Sequence, residues 1–317
     1  MKITGFGPKK LKDSVVYIVF IGIFLLFSVI LFDRGFLTSG NLLNIARQSA
    51  MIAIMSVGMT FVLCTAEIDL SFGAVVALSA ITSALAMRAT GSILLSVLAG
   101  LASGLLVGAI NGIFVAWVGI PSFLVTLGTT GIVSGVARWV SRLQSIPIDN
   151  DLYIFLFGSG DIGPIPILFF WTIFIAIVGS VVLKKTAFGR KVLATGGNKI
   201  SALYSGIKTD RIKFSVMVIN SLLAALAGIL YTGRLHGARY TLGENEVMVV
   251  IAAVIIGGTS MFGGRGSVIG SVIGALIMGI LNNGLILMGL SVDQQLIFRG
   301  IIIIAAVSLT MREKKGK

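Results

Sequence analysis

The stretch from Ser92 to Val118, SILLSVLAGLASGLLVGAINGIFVAWV, carries no charged side chain and decides the fold class. It is longer than the ~20 residues that an α-helix needs to cross a bilayer. Gly100, Gly104, Gly108 and Gly112 recur at every fourth position. That spacing lines them along one helix face, where the backbone of a neighbouring helix can approach closely. The stretch therefore reads as a membrane helix with a packing face.

Comparable runs fill the chain. We expect spans near 14–32, 48–65, 71–88, 92–118, 122–140, 164–183, 212–233, 247–258, 267–288 and 295–311. The whole is read as an all-α polytopic membrane protein of about ten transmembrane helices, forming one transmembrane domain over 1–317. Composition agrees: of 317 residues 56% are hydrophobic and only 12% charged, with a mean hydropathy of +1.04. A soluble fold with this composition would leave large apolar patches in water. The first run resembles a signal peptide, but it is too long for a signal h-region and lacks a small-x-small cleavage site, so it is read as an uncleaved span.

The net charge of +13 follows the loops and draws no basic face for nucleic acid. With ten spans, one side receives four Lys before the first span, eight basic residues in the loop at 184–213, Arg265, and four after the last span; the other side receives eight Arg. The positive-inside rule makes the richer side, with both termini, cytoplasmic. The only cysteine, Cys64, permits no intrachain disulfide. The only histidine, His236, has no partners at metal spacing, so no cofactor or metal is expected in the chain. No constellation of His, Cys or Ser-Lys at catalytic spacing appears, and the chain does not read as an enzyme.

Outside the runs, Asn198 reads as a helix N-cap and Gly206 as a stop. Ile200, Leu203, Tyr204 and Ile207 between and beyond them follow i, i+3, i+4, i+7 spacing, an apolar stripe on a helix too short to stand alone in water. It either docks on a cytoplasmic partner or packs on the chain's own helix ends. Gly263-Gly-Arg-Gly266 lacks the lysine of a phosphate-binding loop, so ATP would have to be bound by another chain.

Several polar residues fall between or inside apolar runs. Glu67 and Asp69 lie in a break, where Asp69 and Ser71 would accept the first amides of the third helix; the alternative is a proton or cation site, which would suit a proton-coupled secondary transporter. Asn111, Asn220, Asn282 and Asn283 either join helices or line a path for a hydroxylated solute. The glycine ladder at Gly266, Gly270 and Gly274 echoes that of the fourth span and suggests a weak internal repeat. The segment 141–163 reads as turns, serving as a connector or a docking surface.

Gly196-Gly-Asn-Lys-Ile-Ser-Ala-Leu-Tyr-Ser-Gly-Ile, Ile68-Asp-Leu-Ser-Phe-Gly and Gly257-Gly-Thr-Ser-Met-Phe-Gly-Gly-Arg-Gly resemble the permease subunits of ribose/xylose-type sugar ABC importers. Val57-Gly-Met-Thr and Asn282-Asn-Gly-Leu fit the same pattern. The resemblance implies an inner-membrane permease that pairs with a second copy. It implies cytoplasmic ATP-binding subunits below it, an extracytoplasmic sugar-binding protein above it, and membrane lipid around it. It makes Gly197, Asn198, Ile200, Ala202, Leu203, Tyr204, Gly206 and Ile207 the coupling segment.

Overall fold

The computed structural model describes residues 8–315, with side-chain surroundings from Val16 to Ile302 and at Ile304. Lys2 and Lys317, used in the charge count, lie outside the described residues. Among the described residues the longer helices are α1 (Pro8–Ile30), α2 (Ser39–Cys64), α3 (Phe72–Thr90), α4 (Ile93–Ile113), α5 (Ser122–Ser141), α7 (Ile167–Lys185), α10 (Thr209–Arg234), α11 (Glu246–Ile256), α12 (Val268–Leu287) and α13 (Val292–Lys315). Three short helices fall between them: α6 (Asp151–Ile154), α8 (Ala187–Gly197) and α9 (Lys199–Tyr204). Among the described residues seven helices are long and apolar enough to cross a bilayer, namely α2, α3, α4 with its π-helical extension to Val118, α5, α7, α10 and α12. α11, at 11 residues, is shorter than a full crossing.

Burial sorts these helices into a centre and a rim. α2 is 78% buried over its apolar window and α3 67%, whereas α5 is 22% and α7 17%. The rim helices turn Leu124, Trp139, Phe174 and Ile177 outward. An apolar outer surface of this kind is stable against lipid or another apolar protein surface, and in lipid a helix satisfies its backbone polar groups internally.

The glycine ladders set the closest approaches. A Cβ on Gly108 would stand 2.9 Å from the Cα of Val218, and one on Gly104 2.7 Å from the Ser221 carbonyl, so α4 lies directly against α10. On α12, Cβ atoms at Gly270 and Gly274 would overlap the carbonyls of Gly257 and Ala253, pressing α12 on α11 and its C-terminal turn. The two ladders do the same packing work on different partners, which does not by itself establish a repeat.

Three expectations change. α2 begins nine residues earlier than the apolar run, because the Thr38 hydroxyl caps it by accepting from Asn41 N, and the helix carries polar Asn41 and Gln48 into the bundle. The segment 141–163 holds α6, capped where Asn150 Oδ1 accepts from Tyr153 N at 2.9 Å, and a π-helical turn, rather than turns alone. The loop at 184–213 holds two helices instead of one.

Candidate functional site

The loop after α7 is folded. Thr186 Oγ1 accepts from Gly189 N at 3.2 Å and starts α8; Asn198 Oδ1 accepts from Ser201 N at 2.9 Å and starts α9. Gly206 takes φ +78, where a side chain would be strained, and closes α9 as its N–H bonds the Leu203 carbonyl. The apolar stripe divides. Ile200 is 66% exposed, Leu203 48% and Tyr204 90%, while Ala202 is buried and Ile207 packs beside Val192 and Ile212. The reason is geometric: Ile207 lies beyond the stop at Gly206, so it leaves the helix face and turns back onto the bundle. Gly197 and Asn198 are exposed at the junction.

α8 is tied to the bundle through glycine. Gly196 rests on the Cys64 carbonyl at the end of α2, where any Cβ would overlap it. Gly264 N donates to that carbonyl at 3.0 Å, and a Cβ on Gly263 would stand 2.5 Å from Gly196 O. Backbone touches backbone among α8, the end of α2 and the loop leading to α12.

A buried polar hub surrounds Asp69. Asp69 is fully buried between α2 and α3; its Oδ1 accepts from Ser71 N at 2.8 Å and Ser71 Oγ at 2.6 Å, and its Oδ2 from Asn220 Nδ2 at 2.8 Å. Asn111 Nδ2 donates to Ser71 Oγ at 2.8 Å, and Thr129 Oγ1 to Asn111 Oδ1 at 2.7 Å. Asp69 thus receives the first amide, but Ser71 does not cap α3: its hydroxyl is taken by Asp69 and Asn111. Glu67 forms an ion pair with Lys213 at the start of α10. Through these hydrogen bonds the hub joins the start of α3 to α4, α5 and α10.

A cavity of about 230 Å³ lies at the opposite end of the bundle, where α10 ends at Arg234 and α11 begins at Glu246. Gln48, Tyr231, Arg234, Glu246, Asn282 and Arg299 give it polar walls. Tyr231 Oη donates to Glu246 Oε1 at 3.0 Å, and Arg299 Nη2 donates to Asn282 Oδ1. Neither Arg234 nor Arg299 reaches the Glu246 carboxylate within ion-pair distance. Gln48 Oε1 is buried without a hydrogen-bond partner. Of the two adjacent amides in α12, Asn282 faces this cavity; Asn283 instead exchanges hydrogen bonds with Asn41, at 3.0 and 2.8 Å. Gln48, Arg234, Glu246 and Arg299 escape the sequence reading: the two arginines enter it only as charges at span ends, Gln48 only as a span residue, and Glu246 lies just before a span and outside a count of basic residues. Their polarity within one turn of an apolar run was the available signal.

The family described as "Branched-chain amino acid transport system / permease component" matches residues 41–307. The chain is 39% identical to the ribose import permease protein of Bacillus subtilis, over 93% of this chain and 92% of the relative. It is 37% identical to the ribose import permease protein of Haemophilus influenzae, over 91% and 90%, and 37% identical to the D-allose transport system permease protein of Escherichia coli, over 86% and 84%. No solved structure matches the chain.

Proposed function

The chain belongs to this permease family, a transport component and not an enzyme, and from that premise we propose that it is the membrane subunit of an ATP-driven sugar importer. It takes a pentose, a hexose or a related hydroxylated solute. It spans the inner membrane ten times with both termini cytoplasmic, α1, α11 and α13 completing the crossings. A second permease copy, cytoplasmic ATP-binding subunits and an extracytoplasmic sugar-binding protein complete the machine, and ATP is bound by the partner alone.

The observation that carries this reading is the exposed face of α9. Ile200, Leu203 and Tyr204 stand off the bundle on a helix that is capped at both ends, while Ala202 and Ile207 hold it down. Such a face fits the groove of a partner. α8 touches the end of α2 and the loop before α12 with no side chain between them, so movement of α9 passes into the spans without slack. α12 is 20 residues long, about 30 Å, and its far half lines the cavity at Met278, Gly279 and Asn282. Binding of ATP below would thereby bias which side of the path is open.

The alternative, a proton-coupled secondary transporter working through Glu67 and Asp69, draws less support. Glu67 is engaged by Lys213, and Asp69 by Ser71 and Asn220.

Leu203→Asp tests the reading. A carboxylate at a buried contact costs about 2–4 kcal/mol at a hot spot, roughly 30- to 1,000-fold in affinity. Co-purification of the ATP-binding subunit and sugar uptake should both be lost, with membrane insertion unchanged. Uptake at the normal rate would sink the coupling role of α9.

A further inference from the structure

The cavity at the opposite end of the bundle from the Asp69 hub has a composition that glue does not need. Its polar walls carry two guanidinium groups, Arg234 and Arg299, and one carboxylate, Glu246. Arg47 lies near Arg234 but is neutralised by Asp161, its Nη2 reaching both carboxylate oxygens. The lining is therefore net positive, whether or not Glu246 holds a proton. Tyr231 occupies one Glu246 oxygen only. The buried Gln48 Oε1 lacks a donor, an unfavourable arrangement unless something supplies the hydrogen bond. The volume of about 230 Å³ is far above the ~15 Å³ that one ordered water needs. Ile52, Val249, Met278, Leu281, Leu285 and Ile302 supply apolar walls that would pack on ring carbons.

Resting on the importer reading, we propose that this cavity is a solute station inside the permease. It receives a polyhydroxylated solute that is neutral or anionic and turns cations away. Gln48 Oε1 and the second Glu246 oxygen accept solute hydroxyls; Arg234 and Arg299 donate to solute oxygens. The permease then adds a charge filter to the choice made by any binding protein.

The single cysteine makes the test direct. Cys64→Ala with Gln48→Cys places one thiol in the cavity of the assembled importer, in intact cells. Two impermeant methanethiosulfonates are applied outside, the sulfonatoethyl reagent (anionic) and the trimethylammonioethyl reagent (cationic). Their rate ratio is divided by the ratio on free 2-mercaptoethanol. The anionic reagent should be favoured on the order of tenfold after that correction, and D-ribose or D-allose should slow both reagents. Glu246→Gln should raise the ratio and Arg299→Gln lower it. A corrected ratio of one, no reaction, or protection by neither sugar overturns the station. Should Gln48→Cys fail to reach the membrane, Ile52→Cys on the same helix reports in its place. The importer reading is judged separately: if the station fails while Leu203→Asp still releases the ATP-binding subunit, only the station is lost.

Discussion

Two clusters of polar side chains interrupt the apolar bundle, and both combine a carboxylate, hydroxyls and carboxamides. The hub, near the end of α2, uses Asp69, Ser71, Asn111, Thr129 and Asn220; the cluster at the opposite end of the bundle uses Glu246, Tyr231, Gln48, Asn282 and two arginines. In the hub, donors and acceptors run in an unbroken chain from α10 to α5. Its one orphaned atom, Asn220 Oδ1, faces Gly58 on α2, where even a Cβ would come to 2.6 Å. No solute fits there. In the second cluster the orphaned atom, Gln48 Oε1, borders a cavity. The two clusters differ in charge, in the pairing of their atoms and in the space beside them.

The comparison breaks most easily at Asp69. Replacing it with Ala leaves Ser71 Oγ, Ser71 N and Asn220 Nδ2 without their acceptor in a fully buried place. Each unsatisfied donor costs about 1–3 kcal/mol, so a loss of about 3 kcal/mol or more is expected, a large share of the stability of many proteins. Asp69→Ala should give little monodisperse protein on extraction in mild detergent, or a thermal transition lowered by many degrees. If the variant extracts and melts like the parent, the hub is not structural and a transport role for Asp69 returns.

Asn111→Ala is the next step down. It strands Thr129 Oγ1 and one lone pair of Ser71 Oγ but leaves the Asp69 contacts intact. A destabilisation of about 1–3 kcal/mol is expected, read as a lower melting temperature with uptake falling only in proportion to folded protein. Uptake lost at full stability would place Asn111 on the path instead.

These roles were unequally legible beforehand. Uncharged runs such as 92–118 announce membrane helices by length alone, and Asn198 and Gly206 announce the ends of α9, because both signals are local. α8 was missed because its start rests on one hydroxyl, Thr186, inside a stretch rich in Gly and Lys. The partners of the polar residues were illegible for a different reason. Asp69 meets Asn220 across 151 residues, and Asn41 meets Asn283 across 242. No spacing rule links such positions; the glycine ladders that bring their helices together act only in the folded chain. Gln48 is the clearest case, a single amide in an apolar run whose meaning depends on four other helices.

Gln48 also gives the smallest stability effect and the sharpest contrast. Its Oε1 has no partner to lose. Replacing an unsatisfied polar group with an apolar one of similar shape is nearly neutral or stabilising. Gln48→Leu should therefore shift the unfolding free energy by less than about 1 kcal/mol, in either direction. Uptake should nonetheless fall, because a leucine accepts no hydroxyl and narrows the cavity between α2 and α12. The two readouts move apart here, whereas at Asp69 and Asn111 they move together. Melting curves and initial uptake rates on Asp69→Ala, Asn111→Ala and Gln48→Leu, normalised to protein in the membrane, measure that divergence. If Gln48→Leu loses stability as Asn111→Ala does and transports at the parent rate per folded molecule, the second cluster is glue as well, and the distinction between the two ends of the bundle disappears.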